Sequence, residues 1–398
     1  MAITELSPQQ VPSPARLIGV VGLTLALGYL VVLAGSFIDG NWIYDRQGRP
    51  IANDFVNVWA AGRLALEGHA ASAYDWTLHR AVEVHAVGHS FKGYYGWHYP
   101  PSFLFVAMLL ATLPYTVAAL TWLAATLPIY IAAVRAIVGE RAGIFVALGW
   151  PAALWNVTAG QNGFLTAALI GGTLSLMERH PALAGICLGL LSYKPHFGLL
   201  FPLALLAGRR WHVMAVASVV TAATALSSWL VFGTATWQAF VAWMPTTSHV
   251  VLGEGGANWS RLQSLFGLVR SFGGSENLAW AVQGIAALTL ASAIVCLWRS
   301  RVSFEIKAAA LAAAALLATP YLYTYDLVAL VVPVAFLLRA ALAGRFLRGE
   351  AAGIATVCAL LLSFPYTQTQ VGLAASVIVA LLIARRVLYQ DRHAPVSG

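Results

Sequence analysis

The charge-free run 17–38, bounded by Arg16 and Asp39, limits what this chain can fold into more than any other feature. At 1.5 Å rise per residue, a helix of that length crosses the hydrocarbon core of a bilayer. The run is longer than the apolar stretch of a secretory leader and further apolar runs follow to the end. It is therefore expected to be an uncleaved first span, with the whole chain as the mature protein. With 60% apolar and 10% charged residues, against roughly a quarter charged in soluble domains, a soluble globular fold is excluded. The formal net charge of +8 calls for no nucleic acid, because membrane proteins concentrate cations on their cytoplasmic side. Cys187, Cys296 and Cys358 stand far apart inside apolar runs, so neither a disulfide framework nor a thiolate metal site is expected.

The cations then orient the chain. Arg135 and Arg141, Arg179, Arg209 and Arg210, Arg299, Arg301 and Lys307, Arg339, Arg345 and Arg348, and finally Arg385, Arg386 and Arg392 form short clusters between apolar runs. With these in the cytoplasm, the expected fold is an all-α bundle of about twelve spans, a single membrane domain over 1–398 with both termini cytoplasmic. The spans fall near 17–38, 116–134, 143–157, 162–177, 181–193, 196–208, 212–232, 277–298, 308–320, 327–338, 351–365 and 369–384. Two large loops face outward, at about 39–99 and 233–276. Several spans are short, and 101–113 is a leftover apolar stretch, re-entrant or part of a broken second span. Irregular backbone at membrane depth needs protein or a water-filled cavity around it, so a cavity on the outer side is expected.

In the first loop, Phe55, Val58, Trp59, Gly62 and Leu66 follow helical spacing, which predicts an amphipathic helix on the membrane surface. A second helix is expected from the capping-box-like Ser72-Ala-Tyr-Asp75 towards His85. Asp54 stands immediately before the first helix and has two readings. It is a favoured N-cap, worth about 1 kcal/mol over Ala, or a general base at the mouth of the cavity. His79, Glu83, His85 and His89 have spacings that a metal site could use, but the wet face of a surface helix is the expectation and no metal is assigned. Trp97-His98-Tyr99-Pro100-Pro101 reads as an interfacial turn, with His98 either facing a ligand or structural.

Lys194, in Leu190-Leu-Ser-Tyr-Lys194-Pro195-His196, falls between basic clusters on one side of the membrane, so the chain goes in and returns near Lys194-Pro195. An intramembrane lysine is costly unless it meets an anion, water or a helix end. With His196 it could hold a phosphate, or it could snorkel to the outer interface. Gly160-Gln161-Asn162-Gly163 has the composition of a tight turn. Asp326, after Tyr321, Tyr323 and Tyr325, could bind a sugar hydroxyl, serve as a second acid or base, or cap a helix. In the second loop His249, Glu254 and Arg261 are interleaved with Trp237, Trp243 and Trp259, a mixture suited to carbohydrate, lipid headgroups or the interface.

Taken together, these segments resemble glycosyltransferase family 87 of the GT-C superfamily, the polyprenyl-phosphate-dependent alpha-mannosyltransferase-like proteins. The resemblance covers most of the chain. It rests on Asp54-Phe55 before Trp59-Ala-Ala-Gly62-Arg63, Tyr74-Asp75, Tyr99-Pro100-Pro101 with Leu113-Pro114, Gly160-Gln161-Asn162, Ala184-Gly185 leading to Lys194-Pro195, and Thr319-Pro320 with Tyr325-Asp326. It implies that Asp54 matches the outer-loop catalytic base, that the donor is a polyprenyl-phosphate sugar transferred with inversion, and that no metal cofactor is needed. Mannosyltransferase members carry a histidine pair near the position of Tyr325-Asp326, from which this chain departs. The expected function is transfer of a hexosyl, mannosyl included, or pentosyl unit to a lipid or glycan hydroxyl at the outer face of a bacterial-type cell membrane, among membrane lipids. The candidate site has Asp54 as base, Lys194, His196 and Arg261 for the donor phosphate, and Trp59, His98, Tyr99, Gln161, Asn162, Tyr325 and Asp326 around the substrate. A lipid or lipid-linked-sugar transporter or flippase, and a catalytically inactive lipid-linked-sugar binding protein, are the competing expectations.

Overall fold

The computed structural model describes residues 13–139, 141–255 and 258–392, and among them the fold is all-helical, with only isolated β-bridges and no strand. The expected cytoplasmic ends of the chain lie outside the described residues. Seven helices are long and apolar enough to cross a membrane: Pro14–Ile38, Tyr115–Val138, Trp211–Gly253, Glu276–Arg299, Thr324–Ala343, Glu350–Thr367 and Val371–Arg392. An eighth is added if Ala142–Leu148 and Pro151–Ala159, bent by 49°, count as one span. The remaining expected crossings fall on shorter helices, Gly163–Leu176, Pro181–Tyr193, Pro195–Ala207 and Phe304–Ala318. The leftover stretch is the short helix Pro101–Ala111, of roughly half a bilayer in length, broken from Tyr115–Val138 at Leu113-Pro114.

Four expectations for the loops are corrected. The helix Phe55–Leu66 is not a surface helix, since ten of its twelve residues are buried. Behind the stripe read from the sequence, its other face is Val56, Ala60, Ala61, Leu64 and Ala65, small and apolar enough to pack, and only Arg63 and Leu66 are exposed. It packs between Leu104–Ala111 and Trp76–Val87. The second helix does not start at Ser72: Ala70–Tyr74 is a 3-10 turn, and the helix Trp76–Val87 is capped by Asp75, whose Oδ1 accepts from Thr77 N at 2.9 Å and Leu78 N at 3.1 Å. His79 and Glu83 on that helix face inward, 1% and 0% exposed, instead of forming a wet face. They approach each other at 3.5 Å. Finally, much of the expected loop 233–276 is helical. After a break at Gly233 (φ 79°, ψ 168°) the helix Trp211–Ser248 resumes, and a π turn, His249–Gly253, follows.

The core is aromatic where the short elements meet. Phe103, in the turn Pro101–Phe103, packs its ring 5.0 Å from Tyr99 and 4.7 Å from Tyr193, beside the stretch Leu191–Tyr193. This packing fixes the backbone just before Lys194 relative to the loop that carries Tyr99, and so sets up the site.

Candidate functional site

The capping role read for Asp54 falls to its neighbour. Asp54 makes no capping bond to the helix that follows, and Asn53 does the capping instead, its Oδ1 accepting from Phe55 N at 3.0 Å. Tyr115 fixes Asn53, its hydroxyl donating to Ile51 O at 3.0 Å and lying 3.1 Å from Asn53 Oδ1. Asp54 N donates to Ala159 O at 3.0 Å, which joins this segment to the turn Gly160-Gln161-Asn162-Gly163. The carboxylate is left to that turn. Gln161 Nε2 donates to Asp54 Oδ2 at 3.2 Å, Tyr99 Oη donates to Gln161 Oε1 at 3.4 Å, and Asn162 Nδ2 donates to Tyr99 Oη at 2.8 Å. Burial holds the Asp54 carboxyl above the usual carboxylate range; the Gln161 hydrogen bond and the charges of Arg261 and Lys194 oppose this, and the charge of Asp326 adds to it.

The same turn touches the backbone next to the other acidic residue. Gly163 N donates to Asn156 Oδ1 at 2.7 Å, and a Cβ at Gly163 would stand 2.7 Å from Tyr325 O, an approach only glycine permits. Asp326 accepts Tyr323 N on Oδ2 at 3.3 Å, capping Thr324–Leu330, and takes the Lys194 ammonium on Oδ1 at 2.7 Å. Lys194 lies where the chain leaves helical geometry (φ −127°, ψ 72°), as a residue before proline prefers. It is 5% exposed, so it does not snorkel. Its ammonium stands 5.4 Å from the Tyr325 ring centre and 5.8 Å from that of Phe197. Two helix interruptions are thus joined by one buried ion pair.

Arg261 reaches the same place through backbone. Gln263 N donates to Leu322 O at 2.7 Å, Leu262 bridges to Tyr323, and Thr324 Oγ1 donates to Arg261 O at 3.3 Å. Its side chain is exposed and has no ion-pair partner among the described residues. With Lys194 already matched by Asp326, Arg261 supplies the uncompensated positive charge acting on Asp54.

Asp54, Tyr99, Gln161 and Asn162 therefore form one network, with Lys194, Asp326, Tyr325 and Arg261 around it. Other candidates point elsewhere. Trp59 Nε1 donates to Leu113 O at 2.8 Å, which commits the ring to helix packing. His98 Nδ1 lies 2.9 Å from Thr247 Oγ1; burial, with the charge of His79 second, pushes its pKa down to about 4. His196 turns to Tyr321, ring centres 6.0 Å apart, and its Nε2 is buried without a hydrogen-bond partner among the described residues. Tyr115 and Asn156, which hold the network in place, carried no signal in the sequence, and Asn53 carried only the capping preference it shares with Asp54. Among the described residues no three His, Cys, Asp or Glu side chains converge as a metal site.

Membrane-length helices interrupted around a cluster of opposite charges define a helical membrane protein with a polar site on its helix breaks. The model of glycosyltransferase family 87 matches residues 97–320, more than half of the chain, which therefore belongs to that family and is a glycosyltransferase acting between a sugar donor and an acceptor. The match includes Tyr99, Gln161, Asn162, Lys194 and Arg261, while Asp54, Tyr325 and Asp326 lie outside it. No curated protein and no solved structure matched the chain.

Proposed function

We propose that this protein transfers a hexosyl, mannosyl included, or pentosyl unit from a polyprenyl-phosphate donor to a lipid or glycan hydroxyl, with inversion and with Asp54 as general base. The observation that carries this reading is an uncapped, half-buried carboxylate standing in the field of an unmatched guanidinium within one cluster. Asp54 takes the acceptor hydroxyl proton, and the oxygen attacks the anomeric carbon from the face opposite the phosphate. The carbon–oxygen bond to phosphate breaks, and the lipid phosphate leaves with the bonding electrons. Arg261, with Lys194 beside it, receives the developing charge. Tyr99, Gln161 and Asn162 orient the base and line the sugar site with Tyr325. The chemistry asks for no metal, and the lipid-linked sugar is a substrate, not a cofactor.

The site is assigned to the extracytoplasmic face of the cell membrane, in a bundle with its short helices counted among about twelve crossings. In support, basic segments meet through direct contacts: Arg339 Nη1 donates to Ile137 O at 3.4 Å, the Arg210 guanidinium lies 5.7 Å from the Phe304 ring, and Ser303 N donates to Gln390 Oε1 at 3.0 Å. Such a basic end belongs in the cytoplasm.

The test is a transfer assay on the full chain in detergent, with radiolabelled sugars on polyprenyl phosphate and membrane lipids as acceptors. Labelled glycolipid is expected. Donor retained without product would point to a binding protein, and donor moved across vesicles without product to a transporter. A second expectation concerns pH. Asp54 acts only when ionised, so kcat/KM should rise with pH through its elevated pKa. Gln161→Leu removes a hydrogen bond that favours the ionised form, so the rising limb should move to higher pH. An unmoved limb would mean that Gln161 does not tune the base.

A further inference from the structure

From Tyr321 to Asp326 burial alternates along the chain. Leu322, Thr324 and Asp326 are buried, while Tyr321, Tyr323 and Tyr325 stay half-open. The buried face fastens the segments that carry the two cations of the site. Thr324 Oγ1 donates to Arg261 O at 3.3 Å, and Asp326 Oδ1 takes the Lys194 ammonium at 2.7 Å. The half-open face carries the rings. Tyr323 and Tyr325 stack in parallel, ring centres 5.4 Å apart and planes 8° from each other. The Lys194 ammonium stands 5.4 Å from the Tyr325 ring centre, and the bridge between Leu262 and Tyr323 sets Tyr323 beside the segment that carries Arg261. The stacked pair is therefore built onto the cation side of the site.

Its hydroxyls differ from those of the tyrosines packed deeper around the site. Tyr99 Oη serves Gln161 and Asn162, Tyr115 Oη serves Ile51 and Asn53, and Tyr193 Oη lies 2.6 Å from Thr166 Oγ1. These three are spent on the fold. The turn at Tyr323 is closed by backbone, Asp326 N donating to Tyr323 O at 2.9 Å, which leaves the phenol out. Neither the Tyr323 nor the Tyr325 hydroxyl has a hydrogen-bond partner among the described residues, and both residues remain partly exposed. Two neighbouring hydroxyls are thus left for a ligand.

We propose that Tyr323 and Tyr325 hydrogen-bond the donor sugar, making Tyr323 a further substrate-contacting residue and a determinant of which sugar is transferred. This rests on the proposed transferase reaction. The sugar is joined to the leaving phosphate through a single oxygen, so a phosphate received by Arg261 and Lys194 brings the sugar to the segment that fastens both. Two parallel phenols suit a polyol, because each can donate and accept as a sugar hydroxyl does, and neither is a cation that would compete for the phosphate. A site that hydrogen-bonds a substrate hydroxyl also rejects the analogue that lacks it.

Tyr323→Phe removes the hydroxyl and keeps the ring that stacks on Tyr325, so the fold is retained. Kinetics would be measured on the full chain in detergent, with polyprenyl phosphates carrying radiolabelled mannose, glucose or arabinose as donors and n-octyl glycosides as acceptors. Tyr323→Phe should raise the donor KM about tenfold and leave kcat and the acceptor KM within about twofold, the pattern of one lost substrate hydrogen bond. The best of these donors, offered with single sugar hydroxyls replaced by hydrogen, locates the contact. At least one deoxy donor should lose about tenfold in kcat/KM with wild type and nothing further with Tyr323→Phe. Tyr44→Phe, whose lost hydroxyl bonds Thr116 Oγ1 at 2.9 Å, should leave the donor KM at the wild-type value. A donor KM unchanged in Tyr323→Phe, the same rise in Tyr44→Phe, a rise confined to the acceptor KM, or deoxy penalties of equal size in wild type and Tyr323→Phe would overturn the assignment while leaving the transferase reaction standing. A wild type that transfers from none of these donors would instead overturn the reaction, and the Tyr323 assignment with it.

Discussion

Asp54→Asn is expected to lower kcat by about 10³-fold, within the range that a positioned general base contributes. The substitution is unusually clean here. Asn53, not Asp54, caps the helix Phe55–Leu66, so the helix start survives. An amide oxygen at position 54 can still accept the Gln161 Nε2 hydrogen bond, so the unfolding temperature should stay at the wild-type value. Only the ability to take a proton is lost. Wild-type turnover in a folded Asp54→Asn protein would remove Asp54 from the chemistry. Asn53→Ala should show the opposite pattern, losing about 1 kcal/mol of stability with the cap and keeping the base.

The second large effect belongs to the Lys194–Asp326 pair. Lys194→Ala leaves a carboxylate that is 1% exposed without its 2.7 Å partner. Breaking a buried pair on one side costs about 3–5 kcal/mol, so thermal unfolding in detergent should show a large loss of stability. Replacing both members, Lys194→Met with Asp326→Leu, removes the two charges together and should recover most of that loss. In the proposed reaction the ammonium assists the departing phosphate, so transfer should not recover with it. A double variant with wild-type turnover would make the pair purely structural, and a Lys194→Ala protein as stable as wild type would show that the pair does not hold the two helix breaks together.

What the sequence disclosed, and what it hid, follows from the range of the interactions. Apolar runs are local, so the helical membrane class and the breaks at Lys194-Pro195 and Leu113-Pro114 were legible. Which residue caps the helix Phe55–Leu66 was not, because Asn53 and Asp54 are both good caps and only the backbone direction decides between them. Gly160-Gln161-Asn162-Gly163 read as a turn and no more. Its meaning lies in contacts to residues 54, 99 and 325, distant along the chain and unmarked by any spacing. Lys194 and Asp326 were each recognisable as costly charges, but their pairing was not, and it transfers the role of unmatched cation to Arg261. The helix Phe55–Leu66 misled because one apolar stripe looks the same on a membrane surface as in a core; the small residues on its second face were the better signal. His79 and Glu83 misled for the converse reason, since charged residue types suggest solvent and here they lie buried against each other.

The central claim is that base and cations serve a single reaction centre, and a structure of the full chain with a polyprenyl-phosphate sugar bound tests it most directly. Expected is density for the phosphate against Arg261, with Lys194 beside it. The anomeric carbon should face Asp54 across a gap wide enough for one acceptor hydroxyl, with that hydroxyl about 3 Å from the carboxylate. A phosphate seated away from both cations, or a sugar whose anomeric carbon is turned from Asp54, would contradict it.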